Sequence, residues 1–191
     1  MRVLPVEYAC GQPNLGPKAR AWCAFMDLAV DNLPKPTHRT TPIRVQALTE
    51  PVHQPAVEHY GALAITRVVD TNGRPLPNGY KITHTRTGVS MQLNDVAFRR
   101  RSAARRYLAG LASVAGDLLC VDEAAGFGSQ APVALQRQIA SLNRLAAPSP
   151  ELVAYSNDFE FPPPTPGVPR HGHTLRRCDP DSPTGSQVAI E

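Results

Sequence analysis

Between residues 93 and 104 the spacing of apolar residues changes from every second position to every third or fourth. A period of two belongs to a strand with one buried face, and a period near 3.6 to a helix. Leu63, Ile65 and Val69 share one face of an alternating run from about 60 to 70, with Arg67 interrupting that face. Thr71-Asn72-Gly73-Arg74 and Pro77-Asn78-Gly79 supply turn chemistry. Tyr80, Ile82 and His84 then alternate with Lys81, Thr83 and Thr85. After Arg86-Thr87-Gly88, a third run alternates Val89, Met91 and Leu93 with Ser90 and Gln92 and ends at Asn94-Asp95. Ala104, Leu108, Leu111, Ala115 and Leu118 follow at helical steps and predict a helix over 102–119, with Ser102 as its N-cap. The expected fold is therefore α+β, a three-stranded antiparallel sheet with one helix across its face.

The apolar positions of this module are too few to offset the ordering of about 60 residues. Two flanking helices supply further core. Pro17 suits a first helical position, and Trp22, Phe25, Met26, Ala29 and Leu33 recur at helical spacing over 17–33. Pro132 opens a second segment, 131–146, with a stripe of Leu135, Ile139, Leu142 and Ala146. The Gly126-Phe127-Gly128-Ser129 stretch reads as the linker before it. Prolines 34, 36, 42, 51 and 55 break up the connector, leaving room for one short strand at 43–48.

Nine of the last 44 residues are proline, and apolar residues are sparse there. That composition predicts a disordered acidic tail over 148–191. The organisation is thus an N-terminal helix and Pro-rich connector (1–57), a sheet-plus-helices core (58–147) and the tail. Tyr155, Phe159 and Phe161 alternate with Asp158 and Glu160. Such a patch reads as a solvated tail, a partner-docking motif or a self-inhibitory segment.

Charge is distributed unevenly. The chain carries +4 overall, but residues 60–111 hold nine bases against two acids. Five of those bases, Arg99, Arg100, Arg101, Arg105 and Arg106, stand where the central helix begins. A helix start carries partial positive charge, so arginines there are unfavourable unless an anion is close. An anion-binding surface is the functional reading, with Arg67, Lys81 and Arg86 extending it over the sheet. The bland reading is a solvated surface in an Arg-rich chain, since 17 of the 20 bases are arginine.

Enzyme signatures are absent. The sequence holds no GxSxG, HExxH, GxxxxGK[ST] or strand-borne GxGxxG. His84 sits mid-strand without a visible partner and reads as a structural residue turned to solvent or a neighbour. His171, His173, Cys178 and Asp179 match no common zinc spacing, so no metal or cofactor is expected. Cys10, Cys23, Cys120 and Cys178 form no recognisable framework, and reduced thiols in a cytoplasmic protein are the expectation. There is no signal-like N-terminal segment, no internal repeat and no apolar run of the roughly 18 residues that a membrane span requires.

These features predict a non-enzymatic nucleic-acid-binding accessory protein, with DNA favoured over RNA. Several small DNA-binding modules use a sheet backed by one helix. The alternative is a protein-interaction or inhibitor module of a phage or mobile element, taking an acidic protein as its partner. Its oligomeric state is open.

Overall fold

A computed structural model describes residues 4–6, 10, 15–37, 42–45, 50–91, 96–114, 133–145 and 163. The fold is mixed α+β. Strand β1 spans Leu4–Val6, helix α1 Pro17–Asp31, β2 Ile43–Val45, β3 Val52–Gln54, β4 Glu58–Tyr60 and β5 Leu63–Val69. Strand β6 spans Pro75–His84, β7 Val96–Phe98, α2 Arg101–Val114 and α3 Val133–Leu145.

The main sheet has the order β1-β7-β6-β5-β4, and a separate ribbon pairs β2 with β3. Four neighbouring strands of the main sheet are antiparallel, and β1 adds to the β7 edge in parallel. The sheet is thus wider than the expected three strands, for three local reasons. Gly61, at φ 60, turns the chain sharply, so the run expected over about 60–70 begins as a strand only at Leu63, and Tyr60 belongs to an additional strand, β4, that folds back on β5. The expected third strand, 89–93, yields only a Thr83–Ser90 bridge among the described residues. It is bracketed by the His84 N–H donating to the Val89 carbonyl and the Met91 N–H donating to the Ile82 carbonyl, each at 2.9 Å. Strand β7 then takes the place beside β6, with Phe98 opposite Tyr80.

The helices lie on one face of the sheet. Cross-strand pairs Leu63–His84, Ile65–Ile82 and Glu58–Ile65 fix which side chains share that face. Leu63, Ile65, Ile82 and Phe98 are fully buried there against Trp22 and Met26 of α1, Tyr107, Leu108 and Leu111 of α2, and Leu142 of α3. Each large apolar side chain so buried contributes about 1.5–3 kcal/mol. The three helices meet at Gly110, where a Cβ would stand 2.9 Å from Leu142 Cδ2 and 3.1 Å from Met26 Cγ. Of the expected α2 stripe, Ala104, Leu108 and Leu111 are buried; Ala115 and Leu118 lie outside the described residues. Pro132, Ala146 and, apart from Pro163, the whole segment 148–191 lie outside them too.

Two expectations are corrected. Ser102 is not the cap of α2 but its second residue. The Arg100 carbonyl accepts the first helical bond, from the Ala104 N–H at 3.2 Å, so Arg100 holds the capping position. Cys10 and Cys23 are not reduced thiols: they form a disulfide, with their Cα atoms 5.6 Å apart. The bond ties the segment after β1 to the buried side of α1, a link that a separation of 13 residues with no motif around it did not reveal. Disulfides persist in oxidising surroundings. Among the described residues, no helix is long and apolar enough to cross a membrane.

Candidate functional site

The anion that the start of α2 lacks in its own first turn comes from within the chain. Glu58, on the edge strand β4, shares the helix-side face with Ile65 and is buried, its side chain 5% exposed. Arg105 donates from Nε to Glu58 Oε2 at 3.0 Å, and from Nη2 to Oε1. Arg101 places its Nε 3.3 Å from Oε1. The Tyr60 hydroxyl donates to Oε2 at 2.6 Å. Arg101 and Arg105 stand one turn apart, so both reach the same carboxylate from one side of α2.

Burial alone pushes the Glu58 carboxyl up. The Arg105 and Tyr60 hydrogen bonds and the charges of Arg105 and Arg101 outweigh it and hold the group below its ordinary value. Burial, reinforced by Glu58, pushes the Tyr60 hydroxyl up to about 12. The Arg105 guanidinium, hydrogen-bonded to Glu58, is raised as well.

On the other flank of α2, Arg106 donates from Nε to Asp27 Oδ1 at 2.7 Å, with Nη2 directed at the same oxygen. This pair joins α2 to α1. The five arginines therefore do not act as one group. Arg105 and Arg106 brace the helix against β4 and α1. Arg101 touches Glu58 yet keeps 57% of its side-chain surface exposed. Arg99 and Arg100 precede it and are exposed.

The other expected members are scattered. Arg67, Tyr80 and Phe98 form one cross-strand row, so Arg67 lies at the end of the sheet from which residues 99–101 continue. Its guanidinium stacks 4.7 Å from the Tyr80 ring centroid and donates to the Pro77 and Leu76 carbonyls. Those contacts hold the irregular first half of β6. Lys81 pairs with Thr66 and belongs to the opposite face. Arg86 is exposed in the turn beyond the far end of β6.

His84 is fully buried and does not face solvent; its Nδ1 lies 2.9 Å from the Thr87 hydroxyl. His59, also buried, places Nδ1 3.0 Å from the Thr37 hydroxyl. Both histidines hold turns or strand ends in place. Among the described residues, no three His, Cys, Asp or Glu side chains gather as metal ligands. His171, His173, Cys178 and Asp179 lie outside the described residues.

Sequence reasoning missed Glu58 and Asp27. They lie 47 and 79 residues from the arginines they bind, and nothing in local spacing announces either. No protein-family model, no curated protein and no solved structure matches this chain.

Proposed function

We propose that the protein is a non-enzymatic nucleic-acid-binding accessory protein, with DNA as its ligand. It contacts phosphates through Arg99, Arg100 and the exposed part of Arg101. The observation that carries this reading is that three consecutive arginines are exposed at the start of a helix already positive at that end. Backbone N–H groups and guanidinium forks favour a phosphate there. Arg67 stands at the same end of the sheet and adds positive charge there, and Arg105 and Arg106 fix the helix that presents the surface. The unequal charge of residues 60–111, nine bases against two acids, adds a long-range attraction for a polyanion.

Titration of the full chain against a labelled DNA duplex tests this. Affinity should fall linearly with log salt concentration. Replacing Arg99 and Arg100 with alanine should reduce the slope by about two, since each lost phosphate contact removes roughly 0.9. A chain that fails to bind duplex at low salt overturns the reading.

A further inference from the structure

Strand β7 leads straight into Arg99, Arg100 and Arg101, so whatever holds β7 also sets where those arginines stand. Its two neighbours hold it unequally. On the β6 side one rung is in register, Phe98 opposite Tyr80. On the other side β1 matches it along its whole length, Leu4 with Val96, Pro5 with Ala97 and Val6 with Phe98. That pairing is parallel, so β1 and β7 leave the sheet at the same end, and Val6 lies beside the residue that precedes Arg99.

Strand β1 is poorly equipped to stay there unaided. It has three residues, and Pro5 at its centre has no N–H, so Leu4 and Val6 supply its only two backbone donors. Fixing the backbone of a residue costs at least as much as a net hydrogen bond returns, so an edge strand this short needs a tether. Cys10 supplies it. Cys10 lies four residues past Val6, within about 14 Å of it even at full extension, and is bonded to Cys23 of α1. The helix end of that tether is fixed. Cys23 is buried in the core with Trp22, Phe25 and Met26, and one turn further on Asp27 accepts from Arg106 of α2. When the bond opens, the strand gives way and the helix stays.

We infer that the Cys10–Cys23 disulfide is a redox-controlled clamp on β7: closed, it holds β1 in place and the phosphate-binding arginines with it; opened, it releases β1 and weakens the site. This rests on the nucleic-acid reading above and adds its regulation. The reductant is a dithiol. Its thiolate attacks the sulfur of Cys10, which is half-buried where Cys23 is buried, and Cys23 leaves as thiolate. The second thiol of the reductant, as thiolate, then displaces Cys10 from the mixed disulfide. Two electrons pass to the chain, both cysteines take up a proton, and the reductant ends as a disulfide. Binding and redox state are reciprocal, so a duplex that prefers the clamped form must hold the bond closed by the same factor.

The test uses the full chain with Cys120→Ser and Cys178→Ser, so that Cys10–Cys23 alone responds to reductant. At a temperature below both melts, reduction should accelerate amide exchange at Val96–Phe98 while β5 stays protected, and should weaken binding of a labelled DNA duplex about fivefold or more. Val6→Pro in the oxidised chain removes one of the two β1 donors, keeps the bond, and should reproduce both effects. Saturating duplex should move the midpoint of reduction, set by a dithiol–disulfide buffer, towards more reducing conditions by the factor lost in affinity. Unchanged exchange at β7 on reduction overturns the clamp whether or not DNA binds, and so does equal acceleration in β5, which means general loosening. Faster exchange at β7 with unchanged duplex affinity overturns control of the arginines and leaves the nucleic-acid reading standing. A chain that binds no duplex in either redox state overturns that reading and the regulation with it.

Discussion

Glu58 on the edge strand β4 and Arg105 on α2 form a two-point charged pair across the interface between sheet and helix, 47 residues apart in the chain. The pair answers a local conflict. The first turn of α2 carries arginines and no acid, and the carboxylate that stabilises it arrives from the edge of the sheet. The helix is therefore registered on the sheet by charge as well as by Leu108 and Leu111.

Replacing Glu58 with glutamine should destabilise the fold by about 1–3 kcal/mol. Removing one partner of a fully buried pair costs more, but Arg105 and Arg101 remain partly exposed and are screened by water. The pH dependence has a definite sign. The folded pKa lies below the ordinary carboxyl value of 4.5, so the stabilisation is complete above 4.5 and is lost as pH falls through the folded value. Thermal melts across that acid range should show a steep loss in the parent chain and a shallower one in Glu58→Gln. Parallel acid limbs would show that the carboxylate is not the linked group.

Tyr107 governs part of the alkaline limb. Its hydroxyl donates to Asn143 Oδ1 at 2.5 Å and to the Met91 carbonyl at 3.3 Å, tying α2 to α3. Burial raises its pKa above the ordinary tyrosine value of 10.0, and Tyr60 is raised to about 12. A raised tyrosine stabilises the fold fully below pH 10 and loses that contribution as pH climbs towards the folded value. Tyr107→Phe should cost about 1 kcal/mol at neutral pH and flatten the alkaline limb, measured by denaturant titration. A loss that grows at high pH in the variant would contradict this.

The parts of the fold legible in the sequence are those set by local period. Trp22, Phe25 and Met26 mark α1, Leu108 and Leu111 mark α2, and the Ile82 strand is plain from alternation. What escaped depends on distant pairings. Strand β1 is three residues long and gains its place only by lying beside β7, and β3 is hidden between Pro51 and Pro55. The arginine cluster was visible as a broken rule, but its division into bracing and exposed members was not. Arg101 and Arg105 share Glu58 and differ in exposure, whereas Arg106 meets Asp27 on the other side of the helix.

Gly88 and Gly73 offer a graded test of how the ribbon is held. Both have positive φ, which costs a residue with a side chain about 1–2 kcal/mol. At Gly88 the added Cβ also meets the Arg44 backbone carbonyl, which cannot swing aside, whereas at Gly73 it meets a Val52 methyl. Gly88→Ala should therefore destabilise more than Gly73→Ala, and hydrogen exchange should accelerate at Ile43–Val45 in the former. Equal effects would mean that the ribbon does not depend on the close approach at Arg44.

The Cys10–Cys23 bond closes a loop of 13 residues in sequence, which restricts the unfolded chain by about 3 kcal/mol in the entropic account. Reductant should lower the melting temperature of the parent chain and leave a variant with serine at both positions unmoved. A parent chain indifferent to reductant would remove the disulfide from the account of stability.

Gly110 provides the test of helix packing. It lies inside α2, where glycine is a poor helix former, so valine gains in local propensity. The structure opposes that gain, because a Cβ would press on Leu142 Cδ2 at 2.9 Å and Met26 Cγ at 3.1 Å, both in fully buried side chains. In a close-packed interior, neither neighbour can shift without displacing others. Gly110→Val should then destabilise by about 2–3 kcal/mol, read as a fall in denaturant midpoint with little change in its slope. Pairing it with Leu142→Ala, which opens space on α3, should recover part of the loss, because the two sites share one contact and their effects do not add. A valine variant as stable as the parent would show that α1 and α3 pack elsewhere on α2.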